Sequence, residues 1–429
     1  MKVIKTVIRR YLVFLGAIKQ RVGEKVLVRL LGSIVGLRLI PAFLKVFNLI
    51  GRSARIDLVR LVRAPSPQDA ELVHPVTLQA CAMMPKFLHV GRSGRSDYFL
   101  DCSVWLLRNA GVIGSSNLIK VGKDQALYEP YFHDRSQSWA YTDPGVVGNR
   151  DDLFLVKYRA GDAINQGILL SGNFSGNYYH FMFEFLSKWL LIEGSVIPVS
   201  VPVLIDRAIL QVPQLTELLG YMNREGRAVR YVEMAEFHLV RELYWLPFCN
   251  VVAPNFKDER SVKYQDCVFS PKSILYLRSR IMPFAKEVKV GRRIFLSRMG
   301  ASGRRTYNEE DVVRVFSAYG FELVSPEKLS VAEQVWMFSR AEWVAGCTGA
   351  AFTNVLFCSP GCKVICLANG QSELSIFSTV ASIVEVDLTY IDVSNSSGEP
   401  AAKLHASFRI DPDRLKCDVG KLFEAMGNE

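Results

Sequence analysis

Val344-Ala-Gly-Cys-Thr-Gly-Ala-Ala-Phe-Thr-Asn354 reads as a strand that empties through small residues into the first turn of a helix. Such a junction leaves free backbone N–H groups beside the positive end of a helix dipole, which suits an anion or a phosphate. Gly346, Gly349 and Ala350 would let a ligand approach the backbone, and Thr348, Thr353 and Asn354 could hydrogen-bond it. The pattern is neither G-x-G-x-x-G nor a Walker loop, since no Lys follows the second glycine. Tight packing of a helix on a strand selects the same small residues, so both readings stand at this point.

The surrounding elements define the fold class. Upstream, 293–297 and 321–324 read as strands. Asn308, followed by Glu309, Glu310 and Asp311, reads as a helix cap with acids in the first turn. Val312, Val313, Val315, Phe316 and Tyr319 give that helix an apolar face, and Gly320 ends it. Ser330 and Glu333 form a capping box opening the next helix. Downstream, 363–367 is another strand. This succession of β-α-β units implies a parallel sheet with its ligand beyond the strand C-termini. Earlier in the chain the same alternation occurs: a strand at 167–171, a helix at 177–192, a strand at 201–205, a helix near 211–220 and a strand at 239–246. Residues 76–160 read instead as hairpins, and 64–75 as a linker. The expected fold is α/β, with two halves facing a cleft.

A length of 429 residues accommodates two such halves. With 49% hydrophobic, 22% charged and 11% aromatic residues, the chain is neither disordered nor fibrous. The net charge of +10 is unevenly placed. Residues 1–63 carry fourteen Lys/Arg and two acids, a balance of +12, and the remainder is −2. Between its charges this arm is apolar, yet its uncharged runs are far short of the roughly 20 residues that span a bilayer. Its basic residues fall on helical faces opposite apolar ones, as in helices that lie on an anionic membrane. Short helices docked on the protein's own core would show a similar pattern. A nucleic-acid arm is disfavoured, because so much Leu, Ile and Val has no role on phosphate. Nine cysteines without paired spacing argue against a disulfide framework and for a reducing compartment. Cys358, Cys362 and Cys366 lack the partners of a zinc set and read as buried thiols.

Two further groups could carry chemistry. Arg298 ends the strand at 293–297 on the ligand side of the sheet, with Arg304 and Arg305 in the loop that follows. Guanidinium groups there suit a diphosphate, and a solvated basic loop is the plainer reading. In Asn177-Tyr-Tyr-His180-Phe-Met-Phe-Glu184-Phe-Leu-Ser-Lys188, His180, Glu184 and Lys188 share a helix face at i, i+4 and i+8. An imidazole oriented by a carboxylate can deprotonate an alcohol. The alternative is a solvent-facing Glu–Lys pair beside a satisfied histidine. No H-E-x-x-H, G-x-S-x-G or D-x-D motif is present.

These residues resemble glycosyltransferase family 61. The similarity runs through NYYHF…E (177–184), RRIFLSR (292–298), RRTYNEED (304–311), GFELVSPEKLSVAEQVWMFSRAEWVAG (320–346) and GAAFTNVLFCSPG (349–361), in order, over roughly residues 110–370. The resemblance implies a GT-B architecture, with two Rossmann-like domains facing a cleft: an acceptor domain at 64–270 and a donor domain at 271–390. The arm would be 1–63, and 391–429 a tail packing back on the body. It further implies an inverting, metal-independent transfer from a nucleotide-sugar, without a cofactor, to a polysaccharide or glycolipid acceptor. With the basic arm, this points to a peripheral enzyme on the cytoplasmic face of the cell membrane, building capsule or lipopolysaccharide. Arg298, Arg304, Arg305, Thr348, Gly349, Ala350 and Asn354 would hold the donor, with Glu333 and Gln334 matching the family's acidic-amide pair. His180 or Glu184 would face the acceptor hydroxyl. Two positions depart from the family pattern: Thr348 stands where a His is usual, and Cys366 where a Glu is frequent. The departures motivate a different expectation as well, a non-catalytic glycan- or nucleotide-binding scaffold of an envelope-assembly complex.

Overall fold

The basic stretch at the N-terminus ends in a β-strand. Arg55–Val62 buries Ile56, Val59 and Leu61, so its last eight residues follow strand alternation and not a helical face. A strand thus lies within the stretch expected as an amphipathic arm, 1–63. The cause is pairing with Leu153–Ala160 and Gln125–Tyr128, far away in sequence. The computed structural model describes residues 55–427 apart from 63, 65, 67, 129–141, 151, 253–261, 300–305, 372 and 395–406. Of the membrane-contacting arm expected at 1–63, residues 1–54 lie outside the described residues. The linker expected at 64–75 contains a strand, Ala70–His74, paired with Val104–Ile113.

The hairpins expected at 76–160 largely form, and several of them close a ring. Arg55–Val62 pairs with Gln125–Tyr128, which pairs with Leu118–Val121, which pairs with Val104–Ile113. Val104–Ile113 runs antiparallel to Glu236–Trp245, and this last strand also pairs with Leu153–Ala160, which returns to Arg55–Val62. Six strands thus make a barrel, with Val59, Leu61, Phe154, Val156 and Tyr158 in one buried cluster.

Glu236–Trp245 also belongs to a parallel patch. Val229–Val232, Val203–Asp206, Ile164–Leu169 and Glu236–Trp245 lie side by side, all parallel, in the order 3-2-1-4 by sequence. That is the βαβ arrangement expected for the first half, here fused to the barrel through a shared strand. The first half is thus larger and more mixed than a plain Rossmann-like unit.

The second half follows its expectation closely. Glu322–Val324, Arg293–Leu296, Trp343–Cys347, Lys363–Ala368 and Asp387–Asp392 form a five-stranded all-parallel sheet in the order 2-1-3-4-5. Helix Glu309–Ser317 buries Val312, Val315 and Phe316, and Gly320 turns the chain at φ 78°. Asn308 does not cap this helix. Its amide bonds Asp311 and, 102 residues away, both the carbonyl and N–H of Ile410. Ser330 and Glu333 do form their capping box on helix Val331–Arg340. Helix Pro412–Gly427 packs back on this half, its Phe423 ring stacked on Trp343 at 4.4 Å.

One core joins the halves. Leu78, Phe183 and Phe269 share a buried cluster with Ile294, Val344 and Phe357. Glu217, on helix Pro213–Met222, accepts the backbone N–H groups of Val331 (2.8 Å) and Ala332 (3.1 Å), so the first half supplies a cap to a helix of the second.

Candidate functional site

His180 begins on a helix whose winding changes at the residues of interest. Asn177 caps it, accepting from Tyr179 N at 3.0 Å. Tyr178–His180 is α-helical, Phe181–Phe185 is a π turn, Leu186–Lys188 is 3-10 and Trp189–Glu193 is α-helical again. Wide turns of this kind frequently mark functional sites. The His180 and Glu184 expectation of proximity is met: Nδ1 lies 2.6 Å from Oε2 of Glu184, which is buried. Lys188 does not continue their face. The changed winding turns it into the core, where its ammonium sits 4.3 Å from the Phe248 ring centre.

The His180 ring is held on further sides. Phe174 stacks on it at 5.0 Å with 25° between planes, and Tyr179 meets it edge-on at 4.8 Å. A carboxylate can only accept, so Nδ1 carries the shared proton and Nε2 presents its lone pair. The side chain keeps 21% exposure. A fixed, partly open imidazole with this polarity is suited to taking a proton from a hydroxyl.

The loop carrying Phe174 is secured by a buried carboxylate. Asp206, at the end of the all-buried strand Val203–Asp206, accepts from Ser115 N (2.6 Å), Ser115 Oγ (3.0 Å), Ser171 Oγ (2.7 Å), Gly172 N (3.0 Å) and Ser175 Oγ. Burial pushes its carboxyl pKa up, against the pull of these donors. Nearby, Asp143 is likewise buried and raised, accepting from Asn117 N at 2.7 Å and Tyr128 Oη at 2.9 Å. Asn117 passes the network on by accepting from Asn173 N at 3.1 Å.

On the other side lies the small-residue turn. Trp343–Cys347 ends at Thr348 and Gly349, and a 3-10 helix follows at Ala350–Phe357. Thr348 and Gly349 are half-buried and Ala350 is exposed, so the turn faces outward. Arg298 crosses it, donating from Nη1 to Thr348 O at 2.7 Å. Its own backbone N–H is held by the Glu309 carboxylate at 3.0 Å, and Ser297 Oγ donates to the same group at 2.5 Å. A Cβ on Gly349 would meet the end of the Arg298 side chain, so the guanidinium would have to shift to admit a larger residue there. Among the described residues Arg298 Nε is buried without a partner, a donor left over at the turn.

The remaining expected donor residues lie behind this surface. Asn354 is fully buried; its Oδ1 accepts from Tyr178 Oη at 2.8 Å and its Nδ2 donates to Gln334 Oε1 at 2.6 Å. Gln334 in turn donates to Pro326 O and Leu329 O. Glu333 closes its capping box, its carboxyl held below the usual range first by the Ser330 N–H. Asn354 and Gln334 position the turn from inside the protein, whereas half-buried Glu333 serves its own helix start. Cys366 is buried within its strand. Arg304 and Arg305 lie outside the described residues. The chain Tyr178–Asn354–Gln334 brings the start of the His180 helix against the helix of the turn.

Sequence reasoning missed Phe174, Tyr178 and Asp206. A phenylalanine within Ser-Gly-Asn-Phe-Ser-Gly-Asn, and an aspartate closing an apolar strand, were the available signals. All nine cysteines are free thiols, eight of them buried. Among the described residues no group of three or more His, Cys, Asp or Glu side chains is placed to hold a metal ion. Among the same residues no helix is long and apolar enough to cross a membrane.

An oriented imidazole beside an arginine-covered, outward-facing glycine turn at the C-terminal edge of a parallel sheet is the equipment of a group-transfer site. Residues 178–365 match the family model described as Glycosyltransferase 61, from Tyr178 beside the dyad to the strand that follows the turn. The match supports a glycosyltransferase, an enzyme with sugar donor and acceptor substrates. A search of curated proteins finds no match to the chain.

Proposed function

We propose that the protein is an inverting glycosyltransferase that moves a sugar from a nucleotide-sugar to a saccharide or lipid-linked saccharide at the cytoplasmic membrane face. The observation that carries the reading is the His180–Glu184 contact of 2.6 Å on a helix joined through Tyr178 to the turn that Arg298 covers. His180 Nε2 removes the acceptor proton, while Glu184 holds the ring and stabilises the imidazolium that forms. The acceptor oxygen attacks the anomeric carbon from the face opposite the diphosphate, and the sugar–phosphate bond breaks with inversion. Backbone N–H groups around Gly349 and Ala350, with Arg298, receive the charge that develops on the leaving diphosphate. Arg304 and Arg305 add to this charge in the same proposal. Gln334 and Asn354 serve by holding the turn, and Glu333 by capping the helix that carries Gln334.

The metal-independent part of the proposal rests on the family resemblance and on the lack of a D-x-D motif in the sequence. GT-B architecture is proposed on the two parallel βαβ sheets. Their shared core favours limited hinge motion. Membrane placement rests on the charge of residues 1–63, and capsule or lipopolysaccharide assembly on the resemblance.

The test is release of nucleoside diphosphate from a panel of nucleotide-sugars, with and without membrane extract supplying acceptors. Wild-type protein should release one diphosphate in an extract-dependent manner. His180→Ala should lower that rate by about 10²–10⁴-fold, with Glu184→Gln intermediate. Unchanged transfer in both variants would remove the base assignment, and nucleotide binding without turnover would favour the scaffold reading. Turnover abolished by EDTA and restored by a divalent ion would overturn the metal-free mechanism.

A further inference from the structure

Phe174 occupies a position that folding alone does not favour. Its backbone φ is 65°, a region that costs a residue with a Cβ about 1 kcal/mol or more and suits Gly or Asn. The residue is 40% exposed, so it buries less apolar surface than a core phenylalanine would. Neighbouring residues enforce the conformation. Ser171, Gly172 and Ser175 are all tied to the buried Asp206, and Asn177 N donates to Phe174 O at 2.8 Å. The result is an aromatic ring stacked by one face on His180, in a residue that keeps 40% exposure.

Sugars carry a less polar face of C–H groups together with a rim of hydroxyls. A fixed, open aromatic face binds such a C–H face and leaves the hydroxyls free to reach polar neighbours. We propose that Phe174 is part of the acceptor subsite, its exposed surface receiving the C–H face of a pyranose that adjoins, in the acceptor chain, the sugar whose hydroxyl comes to His180 Nε2. This rests on the transferase reading above and extends it to the chemistry of the acceptor: a sugar with an uninterrupted apolar face beside the one that receives the transfer. The ring therefore acts in specificity as well as affinity, because an axial hydroxyl on that face would be stripped of water without a partner.

The probe is a set of methyl pyranosides that differ in axial and equatorial hydroxyls, with binding read by saturation-transfer NMR on the full chain. In wild-type protein, at least one glycoside should receive saturation concentrated on the C–H protons of one ring face. Phe174→Gly should weaken that binding by about tenfold, and Phe174→Tyr should keep it. The melting temperature of Phe174→Gly should stay level or rise, since glycine relieves the φ strain. Binding lost together with a lowered melting temperature would show a structural role and overturn the proposal. Equal binding in Phe174→Gly, or no binding of any glycoside to wild-type protein, would also overturn it. His180→Gln separates the two ideas: it should retain glycoside binding if Phe174 is part of the subsite, whatever becomes of transfer. Transfer that persists in His180→Gln would sink the base assignment and leave the subsite standing.

Discussion

Asn354→Ala decides whether the amide behind the glycine turn is a ligand or a link. In the structure both ends of this amide are taken by protein, Tyr178 Oη at 2.8 Å and Gln334 Oε1 at 2.6 Å, in a fully buried setting. Truncation leaves a buried phenol and a buried amide oxygen unpaired, at about 1–3 kcal/mol each. Adding the small void, the loss of stability should be about 3–5 kcal/mol. Tyr178→Phe removes one donor and leaves Asn354 Oδ1 unpaired, for about 1–2 kcal/mol. Because the two share a bond, the double variant should cost less than the sum of the singles by about 1–2 kcal/mol. The assay is guanidinium unfolding of the four proteins, followed by tryptophan fluorescence and circular dichroism. Additive losses would refute the coupling. So would an Asn354→Ala protein of wild-type stability that had lost only its stabilisation by nucleotide, because that is the behaviour of a direct donor ligand.

Two more outcomes follow from the same geometry. Gly349→Ala places a methyl group in the path of the Arg298 guanidinium, so the arginine must leave Thr348 O; nucleotide-induced stabilisation should fall by at least about tenfold in affinity while the fold persists, as read by thermal shift. Asp206 is raised by burial above its ordinary carboxyl range, so the native state binds its proton more tightly than the unfolded chain. Its contribution to stability is therefore present at acid pH and declines as pH rises from about 4 through the folded pKa. Asp206→Asn should flatten that decline in a pH series of unfolding midpoints, and a series parallel to wild type would refute the assignment.

The second half is legible because its signals are local. Ser330 and Glu333 lie within one turn, and Val312, Val315 and Phe316 follow the helical period, so structure and sequence agree there. Asn308 carries the same kind of signal, yet its side chain is claimed by Ile410, and no local rule anticipates a partner 102 residues away. The barrel is hidden for a related reason. Arg55–Val62 continues the basic composition before it, and only its pairing across some hundred residues makes it a strand. His180 and Glu184 can be paired from sequence because four-residue spacing survives a π turn, whereas Lys188, beyond that turn, is displaced into the core. Asn354 stands out in the sequence as an amide near a turn, which suggests a ligand. Only packing shows that its hydrogen bonds are already used within the protein.

Strand Glu236–Trp245 belongs at once to the barrel wall and to the parallel patch. The span that carries the family signature includes this strand, while its antiparallel neighbour Val104–Ile113 lies outside the span. Its parallel neighbour Ile164–Leu169 lies outside the span too, so cutting the chain to the signature would strip both edges of the strand and expose amides beside Leu243 and Trp245, both fully buried in the whole protein. The barrel is thus tied, through one shared strand, to the parallel sheet whose buried Ile168, Val203 and Ile205 pack with Phe181 and Phe185 of the His180 helix.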